Sequence, residues 1–164
     1  MDLGIKNRVA IVTGSSQGMG KAIAYGLAQE GAKVTICART ESTLKTVAEE
    51  IETTFETEVL PFTADLKTKE NIKAMVKATA NKFGRIDILV NNTGGPPSAL
   101  FSETTDKDWL ETFDSLLMSV VNCCREVIPY MKANKWGRII NMTSFAAKQP
   151  AERLVLSNAL RAGV

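Results

Sequence analysis

Apolar residues follow two alternating patterns along the chain. Short runs read as strands: Val9 to Val12, Lys33 to Ala38, Glu58 to Thr63, Ile86 to Asn91 and Gly137 to Met142. Between them apolar residues return every third or fourth position. Lys21 to Glu30 is helix-like, Glu41 to Phe55 places Leu44, Val47, Ala48, Ile51 and Phe55 on one face, and Thr68 to Phe83 turns Ile72, Met75, Val76 and Phe83 inward. Asp106 to Ala133 reads as one long helix carrying Trp109, Phe113, Leu117, Val120, Cys124, Val127 and Met131. A last stretch has Leu156, Leu160 and Val164 on one side. This alternation predicts an α/β fold, a Rossmann-type doubly wound parallel sheet covered on both faces, with ligands at the C-terminal ends of its strands. At 164 residues, with no internal repeat or low-complexity linker, residues 1–164 are expected to form a single domain.

The first strand runs into Thr13-Gly14-Ser15-Ser16-Gln17-Gly18-Met19-Gly20, and a helix follows. A glycine-rich turn in that position brings backbone N–H groups and the positive end of a helix up to a phosphate. Gly14 lets the chain reverse, Gly18 removes a side chain where a pyrophosphate approaches, and Gly20 lets helix and sheet pack closely. The spacing G-x-x-x-G-x-G is one residue longer in its first gap than the common dinucleotide fingerprint. Gly14, Ser15, Ser16, Gly18, Met19 and Gly20 are therefore candidate cofactor contacts. The plainer alternative is an ordinary strand-to-helix turn.

Composition narrows the function. A formal net charge of +2, with scattered Lys and Arg, points to neither nucleic acid nor an anionic membrane. No apolar run approaches the length of a membrane span, and the chain enters its first strand almost at once, so a cytoplasmic protein is expected. The cysteines, Cys37 and the adjacent Cys123 and Cys124, have neither a metal spacing nor a disulfide framework. Histidine is absent, which removes the commonest metal ligand and the commonest general base. No metal site is expected.

The Thr13-to-Gly20 turn, Asp65-Leu66 after the third strand, Asn91-Asn92-Thr93-Gly94 after the fourth and Asn141-Met142-Thr143-Ser144 after the fifth together resemble the short-chain dehydrogenase/reductase family, in its order and spacing. The resemblance spans essentially the whole chain and is strongest to the 3-oxoacyl-acyl-carrier-protein reductase-like branch. It implies that Asp65, with Leu66, lies at the adenine and that Asn91 and Gly94 shape the floor of the cofactor site. At the end of the second strand, an acidic residue would suit the ribose hydroxyls of NAD(H), whereas a 2′-phosphate calls for a cation. The chain offers Ala38 and then Arg39, which favours NADP(H) over NAD(H). The alternative for Arg39 is the start of a solvated loop.

The resemblance also implies a catalytic set of serine, tyrosine, lysine and asparagine, and here the chain departs from the family. Ser144 matches the serine. Ser157 falls in the tyrosine slot, Arg161 in the lysine slot and Leu116 in the asparagine slot. Residues four apart share a helix face, so Ser157 and Arg161 could both face the cleft. A serine hydroxyl is a much weaker acid than a phenol, and a guanidinium does not release its proton at ordinary pH. Tyr25 and Tyr130 fall in the first and long helices, away from the motif. The alternative is that Ser157 and Arg161 are surface positions beside a Leu156, Leu160 and Val164 stripe.

Family members continue beyond this last helix into two further strands and a segment that closes over the substrate, so the chain is expected to be part of a longer protein, its sheet truncated after the fifth strand. Two functions follow from the resemblance. One is an NADP(H)-dependent oxidoreductase acting on a carbonyl or alcohol, with Ser144, Ser157 and Arg161 as the candidate catalytic residues. The other is a nucleotide-binding protein without turnover, a sensor or a subunit. Val121, Cys123 and Ile128 lie off the main stripe of the 106–133 helix, which predicts a homodimer or homotetramer packed along it.

Overall fold

Strands β1 (Val9–Thr13), β2 (Lys33–Ala38), β3 (Val59–Thr63), β4 (Ile88–Asn91) and β5 (Arg138–Asn141) form one parallel sheet in the computed structural model, which describes residues 3–164. The spatial order is β3-β2-β1-β4-β5. The chain thus builds outward from β1 to β3, then returns to the other side of β1, leaving a switch point between β1 and β4 where doubly wound sheets bind ligands. All of β1 is buried at the centre, whereas all four residues of β5 are exposed at one edge. Pro61, which cannot donate to a ladder, sits in β3 at the other edge, where that loss is tolerated.

Helices cover both faces because alternate strand residues point opposite ways. Ala10 and Val12 of β1 pack against α1 (Gly18–Gln29) and α2 (Glu41–Phe55), with Ala24, Leu44 and Ile51 inside. Ile11 and Leu89 face α3 (Lys69–Phe83) and α5 (Ser119–Ala133), where Ile72, Met75, Cys123 and Val127 complete the second layer. Burying each such large aliphatic side chain contributes about 1.5–3 kcal/mol. No helix among the described residues is long and apolar enough to cross a membrane.

The stretch expected to be one helix over 106–133 is not continuous α-helix. It comprises α4 (Asp106–Thr112), a π-helical segment (Phe113–Met118) and α5. The Ser119 N–H reaches back five residues to the Asp114 carbonyl, and the Ser115 and Ser119 hydroxyls donate to the carbonyls of Thr112 and Ser115. The extra residue in the turn rotates everything beyond it by about 100°. The buried series therefore runs Thr112, Leu116, Val120, Cys123, Val127, Met131, and Phe113 is 38% exposed. Cys123, expected off the main stripe, is in the core, and Cys124 is the less buried of the pair.

Beneath the sheet, at the N-terminal ends of its strands, Asp87 is fully buried. Its carboxylate accepts hydrogen bonds from the Val9 N–H at 2.9 Å, from Arg8 at 3.3 Å and from two nitrogens of Arg85 at 2.7 and 2.6 Å. The guanidinium of Arg8 lies 4.1 Å, and that of Arg138 4.9 Å, from the centre of the Trp136 ring.

The last helix, α6 (Val155–Gly163), packs against the π-helical segment and the short turn Phe145–Ala147. Contact on two sides changes which residues it buries: Leu156 and Ser157 are buried, while Leu160 and Val164 are only partly so. Ser157 is thus not a surface position.

Candidate active site

The switch point is locked by one residue pair. Asn92 donates its backbone N–H to the Thr13 hydroxyl at 2.8 Å, and that hydroxyl donates to the Asn92 carbonyl at 3.0 Å. The Asn92 side-chain amide donates to the carbonyls of Thr13 and Gly14. The glycine turn is held so tightly here that a Cβ on Gly20 would lie 2.2 Å from the Gly14 carbonyl oxygen, and one on Gly14 2.5 Å from that of Asn92. Gly18 is different. Its φ of +57° favours glycine, and the space where a Cβ would stand is open.

No side chain caps the start of α1, as is also true of α2, α3 and α6; what sets α1 apart is that it starts in the glycine turn. The first N–H groups of α1 therefore open, with the positive helix end, toward a cleft of about 760 Å³. Its walls come from the glycine turn, the ends of β2 and β3, the segment after β4, and Arg161. An uncapped helix start beside an open glycine, with an unpaired Arg39 at the end of β2, is a donor set that fits a phosphate-rich dinucleotide. Arg39 is exposed and makes no ion pair among the described residues.

The candidate residues separate into two groups. Gly14, Ser16, Gly18, Met19, Arg39, Asp65, Leu66, Gly94 and Arg161 line the cleft together. Ser15, Gly20, Asn91, Ser144 and Ser157 are not among its lining residues. Ser15 is fully buried: its hydroxyl donates to the Val12 carbonyl at 2.8 Å and accepts from the Cys37 N–H at 2.8 Å, which ties the turn to β2. The Asn91 amide donates to the Asn141 side-chain oxygen at 2.9 Å and to Cys124 Sγ. Asn92, which the sequence reading placed only within a motif, is the one that meets the cleft. Pro96 and Pro97, and Asp108 and Glu111 from α4, also line it, and no motif marked them.

The catalytic candidates lie where α6 meets the segment after β5 and the π-helical turn, but only Arg161 of them lines the cleft. Ser144 starts the turn Phe145–Ala147, its hydroxyl accepting from the Ala146 N–H at 3.2 Å. Ser157 is buried to 5% exposure against that neighbourhood, and Leu116 is 1% exposed in the π-helical segment. Arg161 donates from Nη1 to the Met142 carbonyl at 3.0 Å and from Nη2 to the Gly94 and Thr93 carbonyls at 3.2 and 3.4 Å. Partial burial lowers its pKa by penalising the charge. Neither tyrosine replaces the one the motif lacks. Tyr25 packs on the α1 and α2 side with its hydroxyl bonded to Glu50, its pKa raised by burial and then by that hydrogen bond, and Tyr130 packs on the opposite face. The thiols of Cys37 and Cys123 are both pushed up to about 12 by burial, so they are poor nucleophiles. No cluster of metal-binding side chains occurs among the described residues.

A sequence profile of the short chain dehydrogenases matches residues 8–164. The chain is 38% identical over 162 residues to the (2S)-[(R)-hydroxy(phenyl)methyl]succinyl-CoA dehydrogenase subunit BbsD of Thauera aromatica, covering 99% of this chain and 64% of that protein. It is 35% identical over 139 residues to the 3-oxoacyl-[acyl-carrier-protein] reductase of Staphylococcus epidermidis, covering 84% and 57%. The crystal structure of L-sorbose reductase from Gluconobacter frateurii, complexed with NADPH and L-sorbose, superposes with a TM-score of 0.97 at 37% identity, covering 99% of this chain and 62% of that one. The chain thus spans less than two thirds of the length of each. With its parallel sheet, glycine turn and switch-point cleft, the chain belongs to the short-chain dehydrogenase family of nicotinamide-cofactor oxidoreductases.

Proposed function

We propose that this chain is the cofactor-binding part of an NADP(H)-dependent reductase that interconverts a carbonyl and an alcohol, on a substrate of the 3-oxoacyl type. The supporting observation is the cleft, whose lining includes the start of α1 and Arg39, donors suited to a pyrophosphate and a 2′-phosphate. When bound, the cofactor supplies the hydride that the carbonyl carbon accepts. Gly18 leaves the pyrophosphate room, Asp65 and Leu66 bound the adenine end, and Arg39 meets the 2′-phosphate with a planar charged fork. Ser144 stands outside the lining of the cleft, its hydroxyl accepting from the Ala146 N–H, and the proton that the substrate oxygen gains comes from water, because neither Ser157 nor Arg161 is a competent acid. Turnover of 3-oxoacyl thioesters is therefore slow, by the about 10²–10⁴-fold that general acid help supplies. The protein acts in the cytoplasm as a homodimer or homotetramer packed along the helical stretch 106–133, where Leu110, Phe113 and Ile128 are exposed.

Fluorescence titration with NADPH and NADH tests the cofactor reading. NADPH binds at least tenfold more tightly, and Arg39→Ala removes most of that preference. Equal affinities in the unaltered protein overturn it. Sedimentation of a concentration-independent monomer overturns the assembly.

A further inference from the structure

The two arginines of the cleft stand at opposite ends. Arg39 follows β2, while Arg161 is tied to the carbonyls that follow β4 and β5. Two to three strand spacings separate these points, about 10–14 Å, with the start of α1 between them. A dinucleotide whose 2′-phosphate meets Arg39 and whose pyrophosphate meets α1 has its nicotinamide at the Arg161 end.

The guanidinium of Arg161 is anchored rather than neutralised. Its three acceptors are backbone carbonyls from two segments, which hold the planar group in place but carry no net charge. No carboxylate pairs with it among the described residues. Of the three acids that line the cleft, Glu111 pairs with Lys67 and Lys107, Asp65 accepts from the Lys67 N–H and Asp108 from Thr105, and none is in ion-pair contact with Arg161. Partial burial also leaves the charge less hydrated, hence felt further.

We propose that Arg161 sets the redox preference of the site, its anchored positive charge favouring the neutral reduced nicotinamide over the cationic oxidised one. This rests on the dinucleotide reading above. The 2′-phosphate and the pyrophosphate are the same in NADPH and NADP+, so neither Arg39 nor the start of α1 can tell the two apart. A charge at the nicotinamide end can, because the ring is cationic in one form and neutral in the other. The protein is thereby biased toward holding reduced cofactor and releasing oxidised cofactor, as a reductase requires.

Calorimetric titration of the full-length protein with NADPH and NADP+ separately tests this, because the readout is a ratio of two affinities. The unaltered protein binds NADPH about tenfold more tightly than NADP+. Arg161→Gln brings the ratio to within about twofold, Arg161→Lys largely restores it, and Arg39→Ala weakens both cofactors without moving it. A purely structural role for Arg161 would weaken both equally in Arg161→Gln, and an unchanged ratio there overturns the proposal. So does a ratio near one in the unaltered protein, which decides the matter even if Arg161→Gln fails to fold. Absence of saturable binding by either cofactor overturns the dinucleotide reading itself, an outcome distinct from both.

Discussion

The two ends of the sheet use the same kinds of residue for opposite purposes. Below, Asp87 is fully buried and its oxygens are engaged by Arg8, Arg85 and a backbone N–H, so charge is closed on itself. Above, Arg39 has no acidic partner, Arg161 holds only carbonyls, and the start of α1 is uncapped. A buried charge that lacks its partner costs several kcal/mol, which is why the closed end tolerates no vacancy. The open end leaves Arg39 and the first N–H groups of α1 uncommitted and near water, and anchors the charge of Arg161 without neutralising it, so all three remain available to a ligand. Stability is concentrated at one end and recognition at the other.

The largest expected effect belongs to the closed end. Asp87→Ala leaves the buried Val9 N–H without an acceptor and takes the partner from two part-exposed arginines, and urea unfolding should register a loss of about 3 kcal/mol. NADPH affinity of the folded fraction should stay within about twofold. A variant that loses affinity but not stability would break the division between the ends.

Next come the two thiols of the core layer between the sheet and the α3 and α5 helices. Cys37 lies directly beneath the cleft yet is inaccessible, and its pKa is pushed up to about 12 from an ordinary 9.0, as is that of Cys123. The unfolded chain releases these protons near pH 9 while the folded chain keeps them, so stability is unaffected below pH 9 and falls as pH rises toward 12. Each thiol contributes a slope of about 1.4 kcal/mol per pH unit in that window. Cys37→Ala should flatten the measured slope by that amount. If instead Cys37 in the folded protein is alkylated readily at about pH 8, the open end is loosely packed and the contrast weakens.

Smallest in stability is Gly18→Ala. The positive φ costs about 1–2 kcal/mol, and the open space accepts the methyl without a clash. The same methyl occupies the approach of a phosphate, so NADPH affinity should fall at least tenfold. Equal affinity in variant and parent would place the phosphate elsewhere.

Much of this architecture was legible in the pattern of apolar residues. The bounds of β2 and α2 agree with those read from periodicity, because both elements bury one regular set of side chains. The 106–133 stretch was not legible in detail, since apolar residues spaced by three or four fit either side of an inserted residue; the hydroxyls of Ser115 and Ser119 inside it were the available signal. In α6 the apolar stripe pointed to Leu160 and Val164, but contact on two sides buried Ser157 instead. Within the site, the resemblance singled out Asn91, while neighbours along an extended chain point to opposite sides, so Asn92 reaches the cleft and Asn91 turns to Asn141. The cleft-lining role of Asp108 and Glu111 depends on how α4 is aimed, which no local spacing encodes.

The π-helical turn makes that aim a matter of one codon. Deleting a single residue between Phe113 and Met118 would restore plain helix and swing α4 by about 100° about its axis. Asp108, Glu111 and Thr112 would leave the cleft wall, while Cys123, Val127 and Met131 beyond the turn would keep their places in the core. A change of one residue there re-aims the mouth of the binding site and must be absorbed locally, where Leu116 is buried and α6 packs, while the sheet and α5 stay as they are.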